Sequence, residues 1–270
     1  MCAHVESPEH GSPRRPAGPR DPGDAWVIGD SGERYWGRYG AAGLLAVDPD
    51  RGVLLQHRVE WSHFGGTWGI PGGALQQGEN ASDAALREAQ EEAGVPSGVL
   101  QPRFTSVHDV QIWSYTTLVA AVIRTFEPVI SDPESNELRW VPIDEVATLP
   151  LHPGFEASWE RLRPMLTSRA VLILEGQAAD VLDHSRFAGR FDGQPTIAIP
   201  AAEFGLPEAL WFPEIIRTED QAASNEVIDA LARHEPAHSV ATLTVTERAL
   251  NTSGHGNDGA RSAAWLTASR

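Results

Sequence analysis

Apolar residues fall in short blocks separated by polar turns. Residues 40–47 (GAAGLLAV) and 53–56 (VLLQ) flank the polar segment DPDRG at 48–52, a pattern that predicts a β-hairpin. The Gly- and Pro-rich stretch GGTWGIPGG at 65–73 predicts a loop. A clear helix is expected over 82–93, with Asn80 or Ser82 able to cap its start and Gly94 to end it. Further strands are expected at 107–110, 114–123 and 137–141, and residues 143–148 and 155–165 have helical spacing. Beyond residue 169 come three apolar runs (170–174, 196–200, 210–216), a helix-like stretch at 220–233 and a strand candidate at 239–245. The whole reads as mixed α/β.

The two ends differ from this texture. Residues 1–24 hold five prolines with arginine, glycine and serine, too little apolar surface to offset the entropy of ordering, so a loose tail is expected. Residues 25–168 form the expected main domain. Residues 169–270 form a small α+β accessory region whose last twenty residues are small and polar.

The 270 residues carry a net charge of -16, and every fixed cation is an arginine because the chain has no lysine. That balance argues against a nonspecific duplex nucleic-acid binder, which needs a basic face. It also resembles the output of a GC-rich genome such as an actinobacterial one. The single cysteine, Cys2, cannot form an internal disulfide. No apolar run approaches the roughly 18 residues of a membrane span, and the opening residues lack a signal-peptide core. The expected location is the cytoplasm.

The chemistry concentrates in residues 73–95, GALQQGENASDAALREAQEEAGV. At about 100° per residue, Arg87, Glu91, Glu88 and Glu92 fall on one arc of the helix, and Leu86, Ala85, Ala89 and Ala93 fall opposite. Three carboxylates on one face repel one another, and only one arginine stands among them. A hard divalent ion, Mg2+ or Mn2+, relieves that repulsion through oxygen ligands.

The stretch meets every position of the Nudix box, G-x5-E-x7-R-E-U-x-E-E-x-G-U with U apolar, Ala89 and Val95 filling the U places. From about residue 26 to 165 the chain resembles Nudix hydrolases, most of all actinobacterial MutT-like proteins, through YWGRYGAAGLL, LLQHRVEWSHFGGTWGIPGGA and ELRWVPIDEVATLPLHPGFEASWERLR. The resemblance implies an α/β/α sandwich with a mixed sheet and an enzyme, a nucleoside diphosphate-X pyrophosphohydrolase. It implies that Glu88, Glu91, Glu92 and the Gly73 carbonyl hold Mg2+ (or Mn2+), that Arg87 orients the carboxylates, and that Glu79 braces the loop and helix by a salt bridge. Another carboxylate before a late strand is expected to assist; Glu134 matches best and Glu137 is second. Glu88, Glu91 and Glu134 are the general-base candidates. Arg58 aligns with an arginine that reaches substrate, and Ile70, Trp113, Tyr115 and the loop 149–153 are candidates for base contacts. His57, His63, His108 and His152 lack metal-ligand spacing and are assigned no role.

Marks of other subfamilies are missing. The array SQPWPFP is absent after the box, no proline stands at Val110 or Gln111 as ADP-ribose hydrolases would have it, and Tyr115 lies too far on for dinucleoside polyphosphate hydrolases. Ala74 replaces the lysine often found after the GG pair. The expected reaction is hydrolysis of a nucleoside triphosphate such as 8-oxo-dGTP to the monophosphate and pyrophosphate. The alternatives are ADP-ribose or a nucleotide sugar as substrate, or a noncatalytic Nudix-fold sensor. Nucleotide is the expected partner, without duplex nucleic acid or membrane. The C-terminal region supplies no second catalytic motif; it is expected to stand as its own unit, pack on the sheet or cover a homodimer interface.

Overall fold

The computed structural model describes residues 21–176, 178, 188–206, 209–235 and 239–246. The chain enters through a ribbon, β1 (Trp26–Ile28) and β2 (Arg34–Trp36), and passes into the predicted hairpin, β3 (Ala41–Asp48) and β4 (Gly52–Arg58). The stretch expected to be a loop holds two short strands, β5 (Trp68–Gly69) and β6 (Gly72–Ala74), which pair with β4 and β3. Their glycines leave no side-chain alternation to read, yet the backbone still donates and accepts. Helix α1 (Ala81–Ala93) begins at Asn80, whose side chain accepts from the Asp83 amide at 2.9 Å, and ends at Gly94 in the left-handed region at φ 62°.

Next come β7 (Leu100–Asp109), β8 (Ser114–Val122), β9 (Ser135–Val141) and α2 (Pro153–Met165). Of the helical spacing at 143–148, only a 3-10 turn over Val146–Thr148 forms. The C-terminal region contributes β10 (Arg169–Glu175), β11 (Ala188–Phe191), β12 (Gln194–Ile197), β13 (Ile199–Pro200), β14 (Leu210–Trp211), β15 (Glu214–Thr218), α3 (Gln221–His234) and β16 (Val240–Val245). The apolar run 210–216 thus spans two strands. Pro213 lies between them and cannot donate to a ladder.

The central sheet runs β13-β14-β7-β8-β3-β4-β5, with β6 also on β3 and β9 also on β4. Its β3–β8 pair is parallel and the remaining pairs are antiparallel, so the nine-stranded sheet is mixed. One face packs Ala42, Leu44, Ala46, Leu54, Leu118 and Ala120 against Ala84, Ala85, Ala89 and Ala93 of α1. The other packs Leu45, Val47, Val53 and Leu55 with Trp159, Leu162 and Met165 of α2. This is an α/β/α sandwich.

Strands from the C-terminal region complete the sheet edge, where Leu210 pairs with Thr105 and Trp211 with Phe104. A separate three-stranded parallel sheet, β15-β10-β16, buries Leu172, Leu174, Leu243 and Val245 in the same core as α2. Arg103 of β7 donates to the Leu166 and Ser168 carbonyls, tying the central sheet to the segment between α2 and β10. At the other end of the chain, residues 1–20 of the expected tail lie outside the described residues. Gly23 is packed, since a Cβ there would stand 2.1 Å from the Leu75 carbonyl oxygen.

Candidate active site

The starts of β3, β8 and β9, the end of β4 and all of β6 share one end of the sheet, as the registers Ala41↔Tyr115, Ala42↔Gly73 and Arg58↔Ser135 show. The α1 carboxylates reach this end. Glu92 is 6% exposed, and its Oε2 accepts from the Gly72 amide at 2.9 Å. Burial, assisted by the charge of Glu88, pushes its pKa up to about 8. Glu88 lies directly against the backbone of Gly73: a Cβ at Gly73 would meet its carboxyl atoms at 2.6–2.7 Å. Burial raises the Glu88 pKa to about 7 against the opposing pull of Arg87. A buried acid beside a half-buried one, both with elevated pKa values, calls for a cation or a proton.

Arg87 is the hub of the cluster. Its Nε and Nη2 bind Glu79 at 2.9 and 3.0 Å, its Nη1 binds Glu88 at 2.7 Å and Glu91 at 3.2 Å, and Nη2 also donates to the Ala74 carbonyl at 3.0 Å. Glu79 in turn accepts from the Gln76 amide, so its carboxylate contacts both the loop and Arg87 of the helix. The bidentate fork is geometry that only arginine supplies. Glu91 sits at the rim, 58% exposed.

Among the described residues no three His, Cys, Asp or Glu side chains stand grouped as a ready metal site. Arg87 draws Glu88 and Glu91 to itself. The donors nonetheless fit a hard divalent ion: a buried carboxylate on Glu92, a half-buried one on Glu88, a third at the rim on Glu91, and the backbone of the glycine pair beside them.

Of the assisting carboxylates, Glu134 lies close enough that its charge raises Glu92, and its carbonyl accepts from the Val59 amide at 3.0 Å. Glu137 instead pairs with Arg139 at 2.9 Å. Arg58 reaches the site electrostatically, lowering both Glu92 and the Tyr115 hydroxyl. The Tyr115 pKa is nevertheless raised, by burial first and by the Glu92 charge next, and the hydroxyl sits where a Cβ on Gly43 would meet it at 2.1 Å. Gly43 is thus needed for close approach. Ile70 is not brought to the site surface; it is 7% exposed and joins the core with Trp68 and Leu45. Trp113 stacks on Tyr35 at 4.9 Å and donates to the Trp36 carbonyl, which makes it the anchor of the β1–β2 ribbon.

Two further roles in this region come from the structure. Gln56, fully buried on β4, donates to Ser135 Oγ at 2.8 Å and so braces the segment that carries Glu134. His152 caps α2, its Nδ1 accepting from the Gly154 amide at 3.1 Å. A polar residue inside the apolar alternation of β4 was the available signal for the first; nothing in a lone His before Pro153 signals the second.

The NUDIX domain family matches residues 37–162. A Mycobacterium tuberculosis protein named "Putative 8-oxo-dGTP diphosphatase 3" is 54% identical over 154 residues, spanning 53% of this chain and 70% of that protein. The "Nucleoside triphosphate pyrophosphatase/Nudix hydrolase fusion protein" of Bifidobacterium longum is 41% identical over 157 residues, 55% of this chain and 33% of that one. Among solved structures, a Nudix hydrolase from M. smegmatis, RenU, has 49% identity and a TM-score of 0.49, covering 53% of this chain and 95% of that one. The family match ends inside α2, so β10 to β16 lie beyond it.

Proposed function

Because the chain belongs to the Nudix hydrolases, we propose that it hydrolyses a nucleoside triphosphate, with 8-oxo-dGTP as the preferred substrate, to the monophosphate and pyrophosphate. The observation that carries the reading is the acid pair at the sheet end: Glu92, 6% exposed on the Gly72 amide, beside Glu88 pressed on Gly73. Such a pair favours a divalent cation as its counter-charge. The preference for 8-oxo-dGTP is supported by the name of the mycobacterial relative.

Glu88, Glu91, Glu92 and the Gly73 carbonyl would hold Mg2+ or Mn2+. When bound, the ion screens the phosphate oxygens and lowers the pKa of water. The chain's own residues do the rest. Arg87 and Glu79 fix the helix to the glycine loop, so the carboxylates keep their spacing as substrate arrives. Arg58, at the end of β4, receives substrate phosphate. The proton of the attacking water passes to Glu88, Glu91 or Glu134, each a carboxylate of this cluster. Phosphoryl-type transfer depends mainly on such positioning and charge stabilisation.

A panel of 8-oxo-dGTP, dGTP, the other deoxynucleoside triphosphates, ADP-ribose and a nucleotide sugar, run with Mg2+ and with Mn2+, tests the proposal. Pyrophosphate released together with monophosphate, fastest from 8-oxo-dGTP, is the expected result. Turnover confined to ADP-ribose or the sugar nucleotide would move the enzyme to another substrate class. No turnover of any nucleotide with either ion would sink the catalytic reading and leave the sensor.

A further inference from the structure

A cluster of rings gathers at the loop of residues 59–67 that joins β4 to β5, directly after Arg58, whose charge acts on Glu92. At its tip Phe64 is 46% exposed and holds φ at 54°, a left-handed backbone that is costly for a bulky side chain. Such strain persists only where the surroundings over-determine it. Here they do: the Ser62 amide bonds the Val59 carbonyl, Gly65 bonds Ser62, Gly66 bonds the Arg58 carbonyl, and the Thr67 hydroxyl donates to the Phe64 carbonyl at 2.6 Å. The loop spends its hydrogen bonds on presenting an aromatic ring to solvent.

The ring has walls. His63 meets Phe64 edge-on at 4.2 Å between centroids, and His152, from the segment before α2, meets it at 4.8 Å. Trp26 closes on His63 at 5.3 Å and carries the Arg34 guanidinium over its face at 4.5 Å. Burial, followed by the charge of Arg58, lowers both histidines, His152 to about 4, so both rings are neutral near pH 7. Arg58 connects this cluster to the acids: its Nε donates to the His63 carbonyl at 3.2 Å, and its charge acts on His63, His152, Glu92 and Tyr115 alike. A neutral aromatic surface, an arginine, and the Glu88–Glu92 acid pair thus follow one another across the sheet end.

We propose that Phe64, walled by His63 and His152, stacks the nucleobase of the substrate, with Arg58 binding a phosphate oxygen between the base and the point of cleavage. This rests on the nucleotide reading above. Neutral rings suit an uncharged heteroaromatic partner, and stacking with offset or edge-on neighbours is the ordinary mode of aromatic contact. The two histidines that spacing left without a role acquire one here as walls, not as metal ligands.

Two constants separate this contact from a merely structural one: KM for 8-oxo-dGTP, and the inhibition constant of inorganic pyrophosphate, which has no base. Phe64→Ala should raise KM about fivefold or more, within the range of one lost base stack, and leave the pyrophosphate constant unchanged. Phe64→Trp should restore KM, and Phe64→Leu, which returns apolar bulk without a π face, should not. Recovery with leucine, or a parallel rise of both constants, would overturn the proposal. So would an unchanged KM accompanied by an altered oligomeric state in light scattering, which would assign Phe64 to a contact between copies. If no nucleotide is turned over at all, calorimetric titration of 8-oxo-dGMP into the wild-type and Phe64→Ala proteins still decides: equal affinity, or no binding to either, sinks the platform.

Discussion

Glu92 carries a carboxyl into a site where water can scarcely reach it, with one backbone N–H as its visible partner. Burial holds its pKa near 8, so folding at neutral pH must bind a proton there, at a cost in stability. Glu92→Gln keeps the acceptor for Gly72 and removes that cost, so the metal-free variant should melt at a temperature equal to or above that of wild type. Mg2+ should then fail to raise its melting temperature, and turnover should fall by at least about tenfold through loss of a ligand charge. Calorimetry with and without Mg2+, beside an activity assay, checks all three. Arg87→Lys tests the hub: lysine offers a point charge in place of the fork that holds Glu79, Glu88 and Ala74 together. A loss of about 1–3 kcal/mol in denaturant unfolding is expected, with reduced turnover. The box residues were legible because their helical spacing puts them on one arc. Their unequal burial was not, because the roof over Glu92 comes from Gly72, twenty positions upstream.

At the scale of elements, α1 is the best-read piece: an Asn cap, an alanine face and a left-handed glycine are all local signals. Helix α2 is different, for its cap is the imidazole of His152. The cap works only while Nδ1 is unprotonated, and burial with the Arg58 and His63 charges holds the folded pKa near 4 against an ordinary 6.5. A histidine whose folded pKa is depressed contributes stability that is fully present above pH 6.5 and is lost as pH falls toward 4. Chemical denaturation across that window should therefore show a falling free energy. In His152→Asn, which keeps a capping oxygen but does not titrate, the slope should shrink by up to about one proton. An unchanged slope would remove His152 from the balance. Strands β5 and β6 and the split at Pro213 were not readable by periodicity, since segments of two or three residues are too short to show a period.

For the whole molecule, the C-terminal region matters through the core it shares with the sheet. Trp211, 1% exposed on β14, packs on Phe104 of β7 with ring centroids 4.4 Å apart. Trp211→Ala should cost about 3–5 kcal/mol in unfolding, while turnover at a temperature where the variant stays folded should be close to wild type, because Glu88 and Glu92 lie under the opposite face. Removing everything after Ser168 would uncover Phe104, Leu162, Met165 and Leu166 at once. That truncation is expected to aggregate or to melt far below the full chain, as light scattering and a thermal scan would show. Much of the molecule was determined by the sequence alone: the hairpin, α1, the order of mixed α and β elements and the spacing of the carboxylate box. Each of these is written in contacts between residues close in the chain, where spacing and side-chain type carry the information. The tertiary structure decided the rest. Pairing of Trp211 with Phe104, the roof of Gly72 over Glu92, the burial of Ile70 and the ring cluster around Phe64 all join segments distant in the chain, and no local period records which of them meet.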